Sequence, residues 1–360
     1  MAGLRRHLGI AGATAALLVA GLGTGLSGVA AAQPVAAQPV AAQTVKAGPP
    51  RYYLQQGLGR HNPVVRATAT GRVTGGRLSC PGGALADDYV PADHQTFFVA
   101  CPAPGGGSQI YRFRLTASGQ VGALAAVRGG KLSTAIEGLA GSADGSTLAV
   151  SVGGPGAGDE AIVISTRTGA HATWTDGAAG PGMIRLRVEQ LALSGNGREL
   201  IDTTIPRCVK GSAGNKCRAP GKESRVVSPA SAGGSLSSSR LIMRQSVVCG
   251  LRNGFINDVA VTSDGRSLIV AVVGGGGING GFVAVDQVSA ATGHVTRVLY
   301  KMKTGNGFSY QFVSTDPSGR YVLFDAGTTK TDVNGWIDHG KLVPLRPAGN
   351  NVAYEAWSGR

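Results

Sequence analysis

Ser142-Ala143-Asp144-Gly145-Ser146-Thr147-Leu148-Ala149 decides the fold, because it returns down the chain as Ser263-Asp264-Gly265-Arg266-Ser267-Leu268-Ile269. The pattern is a tight-turn pair with an apolar residue four positions after its first member. Asp93-His94, Asp144-Gly145, Asn196-Gly197, Asp264-Gly265 and Ser318-Gly319 are the pairs, and Phe97, Leu148, Leu200, Leu268 and Val322 the apolar residues. Successive pairs lie 51, 52, 68 and 54 residues apart. The long interval holds a Cys- and Lys-rich stretch, and removing about 16 residues there restores the period. Gly and Asn tolerate positive φ, so these pairs between apolar runs mark hairpins. Repeats of roughly 40 to 50 residues built from short β runs are what a β-propeller produces.

Working outward from each turn, a repeat divides into four strands, a to d. Strand a precedes the turn, at 136–140, 188–193, 256–261 and 310–313. Strand b follows it, at 95–100, 147–152, 199–203, 267–273 and 320–324. Strands c and d form an outer hairpin, as at 111–115 before Ser118-Gly119, 161–165 before Thr168-Gly169, and 282–289 before Thr292-Gly293. The chain ends complete the pattern. Residues 64–73 read as an outer hairpin without inner strands, 352–357 as a strand a without its blade, and 52–54 as the missing strand b. Joining them makes a sixth blade and removes the strand edges of an open ring. The expected fold is all-β: a single β-propeller, six blades closed by the N- and C-terminal strands, with seven blades as the alternative. Trp174 and Trp336 fall in outer strands and read as packing residues.

The Ser142–Ala149 and Ser263–Ile269 runs resemble the TolB-type and WD40-like propeller repeats of bacterial exported proteins. The resemblance spans about residues 64 to 357 and covers all five repeats. It implies a propeller scaffold, and scaffolds of this kind host many functions. The Trp-Asp ending and the opening His of true WD40 blades are absent.

Composition sets the compartment. Arg5, Arg6 and His7 precede an Ala/Gly/Leu/Val stretch that runs to Ala30-Ala31-Ala32 without an acid, so residues 1–32 read as a signal peptide. Ala31-Ala-Gln-Pro-Val35 repeats as Ala36-Ala-Gln-Pro-Val40, and residues 33–50 read as a disordered Ala/Pro/Gln-rich linker, leaving 51–360 for the propeller. The formal charge of +14 falls to +12 when Arg5 and Arg6 leave with the signal. Such a chain, secreted or held at the cell envelope, is drawn to anionic polymers or headgroups in a salt-sensitive way. No nucleic-acid motif is present, no stable membrane span remains after cleavage, and a monomer is expected.

The five cysteines, Cys80, Cys101, Cys208, Cys217 and Cys249, suit an oxidising compartment and leave one thiol unpaired. Strand polarity puts the a–b turns on one face of the ring and the b–c and d–a connections on the other, and all five cysteines fall on that second face. Cys80 is expected to pair with Cys101, and one bridge to form among the other three. The connection between strands b and c of the third repeat carries Arg207, Lys210, Lys216, Arg218, Lys222 and Arg225 against the single acid Glu223. Arg and Lys suit phosphate or carboxylate partners, so these six form the candidate binding loop.

Inside the ring, the positions seven before each turn pair are Ala86, Glu137, Glu189, Asn257 and Gln311, with Glu355 placed at the matching point of the last strand. Strand a lines the channel, so these residues are candidates for a polar ring able to hold a cation or polar ligand through oxygen atoms. GxSxG, HExxH, EF-hand and P-loop motifs are all missing. The expectation is therefore a non-enzymatic binding or scaffolding module at the cell envelope. It needs no cofactor or metal, and its basic loop faces a protein or an anionic envelope polymer. The competing expectation is a hydrolase or lyase acting on a sugar or lactone through Glu137, Glu189 and Glu355.

Overall fold

The structure, a computed structural model, describes residues 49–57, 62–83, 88–91, 95–153, 160–176, 184–208, 223–244, 255–262, 264–274, 281–304, 308–316, 320–328, 332–345 and 352–357. The expected signal peptide (1–32) and the linker to residue 48 lie outside the described residues.

Strands β1 (Tyr52–Gly57), β2 (Val64–Ala67) and β3 (Val73–Arg77) open the chain. Blade 1 follows as β4 (Asp88–Pro91), β5 (Thr96–Pro102), β6 (Ser108–Arg114) and β7 (Ala125–Leu132). Blade 2 is β8 (Ile136–Gly141), β9 (Thr147–Val152), β10 (Glu160–Ser165) and β11 (His171–Thr175). Blade 3 is β12 (Ile184–Leu193), β13 (Leu200–Cys208), β14 (Glu223–Val227) and, after a short β15 (Gly234–Ser235), β16 (Arg240–Arg244). Blade 4 is β17 (Phe255–Val261), β18 (Ser267–Gly274), β19 (Gly281–Ser289) and β20 (Val295–Thr304). Blade 5 is β21 (Phe308–Thr315), β22 (Val322–Thr328), β23 (Asp332–Asp338) and β24 (Lys341–Pro344). The last strand, β25 (Val352–Trp357), pairs with β1, so blade 6 has the order β25-β1-β2-β3.

The closure expected from the two chain ends is therefore present, with Tyr53 opposite Trp357 and Gln55 opposite Glu355. The first strands of successive blades touch in turn, from β4 through β8, β12, β17 and β21 to β25, and β25 touches β4. That cycle makes the sheets a ring of six blades around a channel lined by the first strands.

The turn signature has a physical basis that its spacing only hinted at. Ser142 donates its hydroxyl to Asp144 Oδ1 at 2.6 Å and accepts the Thr147 N–H at 3.0 Å. Asp144 Oδ1 also accepts the Ser146 N–H at 3.0 Å, and Gly145 takes φ 67°. Ser194 with Asn196, and Thr262 with Asp264, repeat this network. In blade 5 the carboxylate of Asp316 replaces the hydroxyl and accepts the N–H groups of Arg320 and Tyr321, each at 2.8 Å. The turns also join blades, since the Ala143 N–H donates to Gly195 O at 2.9 Å.

Burial changes with distance from the channel. The second strands are buried almost end to end, as in β9 and β18, because both of their faces meet a neighbouring blade. The fourth strands expose every position that does not pack inward, as in β7. One apolar cluster fills each seam between blades, from Leu54, Val65, Phe97 and Val99 at blades 6 and 1 round to Tyr53, Tyr321, Leu323 and Leu345 at blades 5 and 6. Trp174 and Trp336 pack in outer strands as expected, Trp174 in the seam of blades 2 and 3 and Trp336 edge-on against Tyr321.

The extra length of the third repeat is distributed differently from the expectation. Arg207 and Cys208 end β13, while Glu223 and Arg225 belong to β14, so the b–c insertion comprises 209–222. Further extra residues lie between β14 and β16. There the chain leaves its own blade and lays β15 parallel to β11, with Gly234 opposite Trp174. The Trp174 indole N–H donates to Ala230 O at 2.8 Å and anchors this strap over an otherwise open strand edge.

Candidate binding face and channel

Antiparallel pairing within each blade puts the a–b and c–d turns on one face of the ring and the b–c and d–a connections on the other. Cys80, leaving β3, and Cys101, near the end of β5, meet on the second face as a disulfide with Cα atoms 5.7 Å apart. Both are buried in the seam between blades 6 and 1, among Leu54, Leu78, Val99 and Phe113. Cys208 ends β13 on the same face, and Cys217 and Cys249 lie outside the described residues.

Of the six candidate cations of the basic loop, Lys210, Lys216, Arg218 and Lys222 lie outside the described residues. Arg207 is placed on β13 opposite Arg185 of β12. Arg225 differs from the expectation: it is a strand residue, half-buried, and its guanidinium donates to Glu223 Oε2 at 2.7 Å and to Ser239 O at 3.3 Å. Glu223, buried, also receives Arg244 at 3.4 Å. Arg225 therefore neutralises a carboxylate inside blade 3 and is not a member of the loop.

The channel strands explain three of the candidate ring positions. In β8, β12 and β17 the ladder slips by one residue, so that the Cα register with the second strand skips Glu137, Glu189 and Asn257. Such bulges re-aim side chains and are common beside functional sites. Glu137 is exposed, and its carboxylate lies over Gly153, where a Cβ would come within 2.9 Å of Oε1, at the b–c end of the channel. Gln311 and Glu355 do not share this geometry. The slip in β21 falls at Ser309, and Gln311 stands in the regular ladder opposite Ala326. In β25 the slip falls at Ala353, and Glu355 stands opposite Gln55, in the register position held by Leu139 and Val259 in blades 2 and 4. The bulge of β21 lies two positions farther from its turn than those of β8, β12 and β17, so a fixed count back from the turn misses it. Ala86 lies outside the described residues.

Three acids inside apolar strands were not singled out from the sequence, although an Asp within Phe255–Val261, Leu200–Cys208 or Gly281–Ser289 is itself a signal. Asp258 Oδ2 accepts the Val313 N–H at 2.8 Å, and its Oδ1 accepts the Val259 N–H at 2.9 Å. Asp202 is fully buried opposite Arg225. Burial pushes its pKa up to about 7 against the pull of Arg225. Burial likewise raises Asp286 to about 6, opposed by Lys301. Among the described residues no three His, Cys, Asp or Glu side chains gather as a metal site.

The fold and the face define a class: a six-bladed β-propeller with its insertion and its disulfide on one side of the ring. No family model matches the chain, and no curated protein matches it in sequence. Among solved structures, TolB from Acinetobacter baumannii is 12% identical and superposes with a TM-score of 0.53 over 86% of this chain and 66% of that one. The chain thus spans just under two thirds of that TolB. The putative TolB from Agrobacterium tumefaciens reaches 0.46 at 10% identity, over 86% of this chain and 91% of that one. The Cps50 (Swd1) propeller domain of Myceliophteria thermophila reaches 0.43 at 15% identity, over 80% and 79%. At these identities the likeness concerns the fold, and the argument for it rests on the first of the three.

Proposed function

We propose that the chain is an exported, non-enzymatic propeller that binds an anionic component of the cell envelope through its b–c face. The observation that carries this reading is the connection between β13 and β14. In the sequence Lys210, Lys216, Arg218 and Lys222 fall between these two paired strands, and residues 209–222 include no acid. Both ends of the connection belong to one rigid blade, so its base is held on that face. The buried Cys80–Cys101 bridge on the same face supports an oxidising compartment, and the charge of +12 left once Arg5 and Arg6 are removed supports an anionic partner. With Arg225 committed to Glu223, the work falls on Arg207 and the four loop cations.

The test is a pull-down of the chain against a bacterial envelope fraction at low and moderate salt. Binding is expected to fall steeply as salt screens the field. Changing Lys210, Lys216, Arg218 and Lys222 to Ser is expected to reduce low-salt binding without lowering the melting temperature. Undiminished binding by that variant overturns the reading.

A second reading, hydrolysis or elimination on a sugar or lactone, keeps one favourable observation. Glu137 and Glu189 occupy matching bulges on neighbouring channel strands. Glu355 is displaced by two positions from that ring. Saturable binding of a divalent ion, lost in a Glu137→Gln, Glu189→Gln double variant, is the outcome that favours this reading.

A further inference from the structure

On the turn face, away from the basic insertion, a cleft of about 200 Å³ opens in the seam between blades 4 and 5. One wall is a single cross-strand row of blade 4, Ile269 on β18, Gln287 on β19 and Arg297 on β20. The other is Val322 paired with Ile337 on blade 5. Ile269, Val322 and Ile337 are buried members of the seam's apolar cluster, so the floor is greasy. Arg297, Arg320 and His339 stand exposed around it, with Asp338 the one acid in the lining.

The rim has a feature that packing alone does not require. His339 adopts φ 50°, the one non-glycine residue at positive φ among those described, and Gly340 follows at 83°. A two-residue hairpin with both φ positive ordinarily takes Asn-Gly or Gly-Gly. His tolerates positive φ better than most side-chain-bearing residues, and the turn carries its ring to the rim of the cleft. Asp338 engages His339 Nδ1, which fixes the ring; Nε2 then has an N–H to offer a carboxylate in the imidazolium form.

We infer that this cleft binds a carboxylate borne on a short branched apolar group, the chemistry of a peptide's C-terminal residue. The carboxylate meets the Arg297 guanidinium and the Nε2–H of the His339 imidazolium at the rim, and the apolar group rests on Ile269, Val322 and Ile337. The volume admits one such residue, whereas drug-sized ligands take roughly 300–1,000 Å³. The matching seam of blades 1 and 2 holds a cleft of about 400 Å³ that likewise pairs two arginines, Arg112 and Arg114, with one acid, Asp144, but no imidazole lines it.

The experiment is calorimetric titration of the full chain with N-acetyl-leucine, N-acetyl-leucinamide and inorganic phosphate. N-acetyl-leucine is expected to bind saturably and at least tenfold more tightly than either other probe. Arg297→Gln and His339→Asn, the latter keeping a residue tolerant of positive φ, are each expected to weaken it at least fivefold with unchanged melting temperature. Arg112→Gln is expected to leave it unchanged. Equal binding of the amide or of phosphate, an equal loss in Arg112→Gln, or no saturable binding of N-acetyl-leucine overturns the inference.

Discussion

Asp258 Oδ2 accepts a hydrogen bond from the backbone N–H of Val313 at 2.8 Å, and so ties the innermost strand of blade 4 to the innermost strand of blade 5. Apolar seams are non-directional and leave neighbouring blades free to slide. A charged acceptor on a fixed backbone donor sets their relative height, and hydrogen bonds to charged groups contribute about 1.5–3 kcal/mol.

Asp258→Ala is therefore expected to lower unfolding free energy by about 2 kcal/mol in urea titration, with Asp258→Asn losing less. Asp88 stands at the matching register position of blade 1, as Leu139 matches Val313 in blade 2. An Asp88→Ala loss well below that of Asp258→Ala would show that the two positions are not used alike.

The buried acids give stability a defined pH dependence. Asp202 has a folded pKa of about 7 against the usual 3.8, so between those values the folded chain keeps a proton that the unfolded chain has lost. Stability from this group is greatest near the lower value and falls as pH rises to about 7; Asp286 acts in the same direction up to about 6. Asp202→Asn is expected to raise the melting temperature at pH 8 and to narrow the difference between pH 5 and pH 8. Asp144 and Asp264 oppose this at the acid end. Burial works against Asp144, but hydrogen bonds from Ser142 and Ser146 hold its pKa low; Thr262 and the Arg266 N–H hold down Asp264. Their contribution is lost as pH drops below the usual carboxylate range.

Cys80 and Cys101 lie in the seam beside the closing blade. Peptide mapping without reduction is expected to recover them linked, and Cys80→Ala with Cys101→Ala to cost about 2–4 kcal/mol. A further bridge among Cys208, Cys217 and Cys249 is expected in the same map.

The strap between β14 and β16 hangs on Trp174. Trp174→Phe removes the donor to Ala230 O and is expected to cost about 1 kcal/mol and to speed protease cleavage within 228–239. Cleavage at the wild-type rate would mean that β15 holds without the indole.

Deleting 352–357 removes the partner of β1 and is expected to lower stability by several kcal/mol and broaden the unfolding transition. An unchanged transition would remove the closing role of β25.

Local physics made much of this protein legible in its residues. Each turn is built by a hydroxyl or carboxylate, an Asx acceptor and a glycine within a few positions, so the repeat, the four-strand blades, the two-ended sixth blade and the Cys80–Cys101 pairing followed from spacing and strand polarity. What separated residues do to one another was decided only in the tertiary structure. Bulges shift with the packing of neighbouring channel strands, which moves Gln311 and Glu355 out of the ring that Glu137, Glu189 and Asn257 share by register. Arg225 reads as a loop cation until β14 is seen to begin at Glu223, where the two-residue period of a strand sets both side chains on one face and the guanidinium on the carboxylate. The strap over blade 2 and the cleft between blades 4 and 5 arise where two blades meet, and no periodicity within one blade encodes that meeting. Hairpins are set by neighbours in sequence, whereas seams are set by side chains more than 50 residues apart, as Asp258 and Val313 are.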